Sequence, residues 1–212
     1  MDFKEYTEAA ERLELVNILS ESQSRVMGRK SLGADEVIKA LDGKVPYMLV
    51  GAHATGQFTP RPRATGDVDL IVADREKAKA LLIAKYPWLH DRGNRLVDDK
   101  GDPFIDLLDA NHPFYRVIVS DGRIIRGMNV PSVEGVLVMK FVSAHSPLRN
   151  PGKKKIDEGD FIAVASANTV DLDKAKSMLT EGDPELAYMK WEEFLGWIKT
   201  AKEAAGWDDN HG

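Results

Sequence analysis

The sequence predicts an α+β fold, with strands and helices mixed over residues 45–128 and helical segments on either side, 1–44 and 129–212. Three observations predict it. Two short apolar runs, 47–50 and 70–72, are bounded by small and polar residues, as buried strands are. Two turn-rich clusters, 98–102 (Asp-Asp-Lys-Gly-Asp) and 120–122 (Ser-Asp-Gly), each separate a pair of short β-type runs. From Pro131 onward, apolar residues recur at helical spacing. With 212 residues, 43% of them hydrophobic, the chain can bury the core of one domain with a helical appendage, or of two small domains.

The elements follow in order. Phe3, Tyr6, Ala10, Leu13 and Val16 recur near the helical period and predict a helix over 2–26. A shorter helix over 34–41 stops at Gly43. The strand 47–50 runs into the small-residue turn Gly51-Ala52-His53-Ala54, then a short helix and an Arg/Pro-rich loop, 59–66. After the strand 67–72, a helix over 75–85 is closed by Pro87. Residues 95–97 and 104–108 form one expected hairpin, and 115–119 with 123–125 a second. Helices are expected over 132–145, 156–167, 172–179 and 184–205, with residues 149–155 (RNPGKKK) as a basic loop. In the last helix, Leu186, Met189, Trp191, Phe194, Leu195 and Ile198 supply an apolar face for core packing.

Composition narrows the function. A net charge of −5 provides no broad basic field for nucleic acid, so any such contact must be a local patch. The absence of cysteine excludes disulfides, thiolate metal sites and thiol catalysis, and agrees with a reducing cytosol. The opening residues, MDFKEYTEAAERLELV, lack an apolar signal region, and no run approaches the roughly 20 apolar residues of a membrane helix. A cytoplasmic protein without membrane contact is the expectation.

The residues that point to chemistry are carboxylates. Asp67 and Asp69 stand at i, i+2 on a strand start, which puts both on one face roughly 7 Å apart. Asp106 lies inside Phe104-Ile105-Asp106-Leu107-Leu108, where burying an acid is costly unless a cation or hydrogen bonds satisfy it. If the two strands pair side by side, the three acids form a cage of hard oxygen donors suited to Mg2+ or Mn2+. The plainer reading is a solvated strand start, with Asp106 as a turn-side acid. The turn at Gly51, Ala52 and His53 could bring backbone N–H groups to a phosphate, although a glycine after a strand is commonly just a turn and a histidine commonly packed. Arg61, Arg63 and Thr65 precede the acids, placed either to bind phosphate oxygens or as a solvated loop. Lys140 is the only charge between Gly135 and His145 in an otherwise apolar helix and demands an anion, which Asp160, a substrate phosphate or another carboxylate could supply.

Together these residues resemble the nucleotidyltransferase superfamily, the polymerase-beta-like fold. Its pattern is a strand, a Gly-Gly or Gly-Ser turn, a helix, Asp-x-Asp on the next strand and a third Asp on a later one. The matching positions are Gly51-Ala52, Asp67 with Asp69, and Asp106. More narrowly, Leu49-Val50-Gly51-Ala52-His53-Ala54 followed by Arg63-Ala64-Thr65-Gly66-Asp67-Val68-Asp69-Leu70 resembles the AbiEii-like and related minimal nucleotidyltransferases. Those carry a downstream lysine helix and an Arg/Lys–Asp segment, which Lys140, Arg149, Lys155, Asp157 and Asp160 resemble. The match covers about 45–165, and Ala52 departs from it where the family has a second Gly or Ser.

The resemblance implies a nucleotidyltransferase-like mixed sheet with helices, followed by a helical C-terminal region. It implies transfer of a nucleoside monophosphate from a nucleoside triphosphate to a hydroxyl of RNA, protein or a small molecule. Two Mg2+ (or Mn2+) ions would bridge Asp67, Asp69, Asp106 and the triphosphate. Gly51, Ala52, His53, Arg61, Arg63, Thr65 and Lys140 are the implied nucleotide-binding positions, Lys140 also joins the catalytic set, and Asp157 and Asp160 support it. In the AbiEii-like group such enzymes are toxins of toxin–antitoxin pairs, which adds an antitoxin protein to the expected partners. Two other readings stay open: an idle nucleotidyltransferase-like module that binds nucleotide or protein, and a nucleotide-sugar transferase. The last ranks lowest because only one strand precedes Asp67.

Overall fold

The computed structural model describes residues 15, 16, 18–20, 22, 32–60, 62–125 and 127–206. Most of the helix expected over 2–26, and Arg61, lie outside the described residues; the described positions between 15 and 22 are helical. The chain forms two compact units that part between Pro131 and Ser132. Among the described residues no helix is long and apolar enough to cross a membrane.

The first unit is α+β. Helix α1 (Ala34–Leu41) leads to strand β1 (Tyr47–Leu49), the one-turn helix α2 (Gly51–Thr55) and strand β2 (Val68–Val72). Helix α3 (Arg75–Lys85), strands β3 (His90–Asp91), β4 (Arg95–Val97) and β5 (Pro103–Asp109), helix α4 (Pro113–Ser120), and strands β6 (Gly122–Ile125) and β7 (Met128–Pro131) complete it. The main sheet runs β1-β2-β5-β4-β3, with β2 and β5 parallel and the other pairs antiparallel. The two central strands are apolar apart from their acids, as strands covered on both faces should be. Met48, Leu49, Leu70, Ile71, Leu82, Leu96 and Ile105 are fully buried around them. Helix α3 starts where Asp74 accepts from the Lys77 amide as its N-cap.

Three details depart from the expected elements. Residues 115–119 are helical, in α4, and β6 pairs with β7 instead. Their aromatic and β-branched side chains favour a strand, but Pro113 presets the first helical turn and the spacing buries Phe114 with Ile118. Strand β7 was not expected; it lies beside β1, where the Asn129 amide donates to the Tyr47 carbonyl at 3.2 Å. Most of the basic segment 149–155 is not a loop: Asn150 caps Gly152 and Pro151 opens helix α6.

The second unit is helical: α5 (Val133–His145), α6 (Pro151–Ala167), α7 (Leu172–Gly182) and α8 (Pro184–Ala204). Phe141, Phe161, Phe194 and Trp197 pack edge to face, with centroid separations of 4.9 Å for Phe161–Phe194 and 5.1 Å for both Phe141–Phe194 and Phe141–Trp197. Beside them lies a buried charge network. Lys140 Nζ donates to Asp157 Oδ1 at 3.0 Å and to Asp160 Oδ2 at 2.7 Å. Ser143 Oγ and Arg149 Nε donate to Asp157 Oδ2, each at 2.9 Å. The network ties α5 to α6, and the Asp157 side chain is only 1% exposed.

Removing one partner of a buried ion network leaves uncompensated charge. Lys140→Met should therefore destabilise the protein by about 3–5 kcal/mol, read as a lowered urea midpoint, whereas Lys140→Arg should recover part of the loss. A Met variant as stable as wild type would rule out a structural role for this ammonium.

Candidate metal centre

The parallel pairing of β2 with β5 decides the site. Its register sets Asp69 directly opposite Asp106, and Asp67 lies just ahead of β2, two residues before Asp69 on the same face. One carboxylate oxygen from each of the three lies within 4.8 Å of the others, and all three residues are half-buried. Like charges directly opposite on neighbouring strands repel. Three carboxylates this close present only hard oxygen donors, at a spacing a single divalent ion could span.

Neighbouring backbone and side chains hold each acid. Gly51 has φ +63°, and a Cβ built on it would overlap Asp69 Oδ2 and sit 2.6 Å from Asp69 Cγ. Only glycine allows both this backbone and this approach. The Asp69 carbonyl accepts from the Val50 amide at 2.9 Å, which fixes the turn over β2. Thr65 Oγ1 donates to Asp67 Oδ1 at 2.6 Å, and the Thr65 amide donates to Ser20 Oγ at 3.1 Å.

Asp106 is held by Arg95, its cross-strand partner on β4. Nε donates to Oδ1 at 2.6 Å and NH2 to Oδ2 at 2.8 Å, a two-pronged fit of guanidinium to carboxylate. That hydrogen bond, followed by the fields of Asp106, Asp67 and Asp69, pushes the guanidinium pKa further up against partial desolvation. The Tyr115 hydroxyl pKa is also raised, first by burial and then by Asp69 and Asp106, so the phenol on α4 lies within the field of the cluster. Sequence reasoning missed both. Arg95 heads the hairpin strand facing Asp106, but a register irregularity between Leu96 and Val97 hides the pairing from simple counting. Tyr115 was assigned to a strand.

The other expected residues fall as follows. Ala52 and His53 are buried in α2, and the His53 side chain is only 2% exposed. Its Nδ1 has no hydrogen-bond partner among the described residues. Burial lowers the His53 pKa to about 4, opposed by the nearby Asp67 charge, so the ring is neutral at pH 7. Arg63 is exposed and donates to the neighbouring Ala64 carbonyl at 3.3 Å. Lys140, Asp157 and Asp160 meet one another in the helical unit.

No family model matches the chain, and no curated protein does. Solved structures similar to it include two. One is an antigenic nucleotidyltransferase-like protein from Paracoccidioides brasiliensis, 18% identical, with 90% of this chain and 93% of that one covered and a TM-score of 0.46. The other is the JHP933 protein from Helicobacter pylori, 15% identical, with coverage of 81% and 85% and a TM-score of 0.48.

Two outcomes follow from this geometry. Gly51→Ala should cost about 1–3 kcal/mol in backbone strain, push Asp69 aside and weaken Mn2+ binding by roughly tenfold or more, measured by calorimetry. Unchanged affinity would show that Asp69 is not seated by this turn. His53 gives a pH dependence. Its folded pKa of about 4 lies below the ordinary 6.5, so the unfolded chain binds the extra proton first. The stability contribution is complete above pH 6.5 and falls away as the pH drops toward 4. At pH 5 the loss should be about 2 kcal/mol relative to pH 7, and His53→Asn should flatten that part of the stability profile. An identical profile for the variant would contradict a buried neutral ring.

Proposed function

We propose that this chain is a metal-dependent nucleotidyltransferase that moves a nucleoside monophosphate from a nucleoside triphosphate to an acceptor hydroxyl. The observation that carries the reading is the convergence of Asp67, Asp69 and Asp106, from two parallel strands, to within 4.8 Å beside Gly51, whose missing side chain leaves room for Asp69. The donor set fits Mg2+ or Mn2+: three carboxylates, with no cysteine in the chain and a ring at His53 too buried to serve. A divalent ion held there would neutralise phosphate oxygens and favour ionisation of the acceptor hydroxyl.

The chain's own residues do the rest. Thr65 holds Asp67, the turn at Gly51 seats Asp69, and the guanidinium of Arg95 fixes the plane of Asp106, so all three carboxylates are oriented before substrate arrives. Arg63, exposed in the loop just ahead of β2, is placed to meet phosphate oxygens. In the transfer, the acceptor hydroxyl gives its proton to solvent as its oxygen attacks the α-phosphorus, the bond from that phosphorus to the bridging oxygen breaks, and pyrophosphate leaves with the electron pair. The AbiEii-like resemblance puts RNA ends first among acceptors and an antitoxin protein among partners. Lys140 takes the supporting role of holding α5 to α6 through Asp157 and Asp160.

A second reading has one observation in its favour. Arg95 engages both oxygens of Asp106, as it would in a domain that keeps the fold as a nucleotide- or protein-binding module and has lost catalysis. One experiment separates the two. Wild-type protein incubated with Mg2+ and each α-labelled triphosphate, over total RNA and protein, should transfer label. Asp67→Asn combined with Asp69→Asn should reduce that transfer by roughly a thousandfold or more. The double variant should melt no lower than wild type, because two repelling charges are gone. Label transfer surviving in the variant would sink the proposal, and Mn2+ binding without any transfer would favour the idle module.

A further inference from the structure

The loop that carries Asp67 is fastened from far along the chain. Ser20 lies 45 residues ahead of Thr65, and the described positions around it are helical. Its single hydroxyl proton goes to the Val16 carbonyl at 2.7 Å, which leaves its lone pairs to the Thr65 amide at 3.1 Å. Val16, one turn earlier, is fully buried, and a Cβ built on Gly56 would stand 2.6 Å from its Cγ2. The missing side chain of Gly56 thus lets this segment close on the end of α2. Val16 and Ser20 together make an apolar and a polar contact near the two ends of the stretch between α2 and β2.

Those contacts reach the acid cluster through one residue. Thr65 is only 7% exposed, so its amide needs an acceptor within the protein, and Ser20 Oγ is that acceptor. The Thr65 hydroxyl proton is committed as well, because the Asp67 carboxylate at 2.6 Å outcompetes the Asp67 carbonyl at 3.4 Å. The amide fixes where the Thr65 backbone sits, and the backbone fixes where the hydroxyl points. A relay of two hydrogen bonds therefore runs from Ser20 to Asp67.

We infer that Ser20 is a positioning residue for the metal centre, holding Asp67 in its ligating direction through Thr65. The inference rests on the proposed metal centre and goes beyond it, because it makes a residue of the N-terminal segment set how well the acids are preorganised. Ser20 offers no ligand itself: its hydrogen bonds go to Val16 and Thr65, not to an acid. A neutral hydroxyl between them orients a carboxylate without competing for its charge, as outer partners of metal ligands do.

The test is Mn2+ calorimetry on the full chain and its variants, at a temperature where thermal melts show each one folded. Ser20→Ala keeps a good helix former but removes the acceptor, and should weaken Mn2+ binding by about three- to tenfold. Ser20→Thr, which keeps the hydroxyl, should stay within about twofold of wild type. Thr65→Val should weaken binding by roughly tenfold or more. Added to Thr65→Val, Ser20→Ala should cost no more than about twofold further, since the relay is already cut. Ser20→Cys, a weak acceptor of similar size, replaces Ser20→Ala should that protein fail to fold, with the same loss expected. A merely structural Ser20 would lower the melting temperature and leave the affinity of the folded protein unmoved. Unmoved affinity in Ser20→Ala, or losses that multiply in the double variant, would overturn the inference while leaving the metal centre intact. No Mn2+ on the wild type would overturn the metal centre and the inference with it.

Discussion

The first unit is organised around a repulsion that its backbone enforces. The parallel register of β2 and β5 sets Asp69 against Asp106, and the alternation of the strand brings Asp67 to the same face. A slip of one residue would turn each acid toward the opposite, apolar-packed side, so the buried face of the sheet locks the charges into place. Leu70 and Ile105, neighbours of these acids along the two strands, are fully buried, and their burial opposes any rearrangement that would part the carboxylates. Hydrophobic packing thus holds like charges together, and the resulting field is what a cation can use.

The surroundings of the cluster are matched to that field. The chain reverses over the acids at Gly51, whose positive φ and missing side chain leave room for Asp69. The price of such a turn is conformational, and the buried residues from Ala52 to Thr59 meet it by anchoring the short helix. His53 belongs to this anchor: it is held neutral by burial although the Asp67 charge favours its protonated form, which shows desolvation outweighing attraction at this position. On the other side of the cluster Arg95 supplies positive charge without a buried surface of its own.

Much of this was legible in the sequence, and the remainder fails for identifiable reasons. The strands at 47–50 and 67–72, the hairpin about 98–102 and the helix over 75–85 follow from apolar runs, turn residues and the Pro87 stop, signals that act over a few residues. The Asp-x-Asp spacing and the apolar flanks of Asp106 pointed to the triad, because an acid among Phe104, Ile105, Leu107 and Leu108 needs a partner. Arg95 stayed hidden because its pairing depends on a bulge, which shifts register by a residue the sequence does not mark. The helix at Tyr115 was misread because side chains there favour a strand while the Pro113 start and the Phe114–Ile118 spacing favour a helix, and packing decides between them. The basic run after Asn150 reads as a loop only if the cap at Asn150 and Pro151 is overlooked.

The charge clusters around Lys140 and Asp106 contrast, each within its own unit. Around Lys140, two carboxylates meet one ammonium and the Arg149 guanidinium, so the buried charges sum to zero and the Asp157 oxygens accept from Lys140, Ser143 and Arg149. The low exposure of Lys140 and Asp157 would make any exchange of partners costly. Around Asp106, three half-buried carboxylates crowd together and the Arg95 guanidinium engages one of them. The lysine cluster is thus where helices α5 and α6 meet each other, while the sheet cluster gathers like charges that a cation could neutralise.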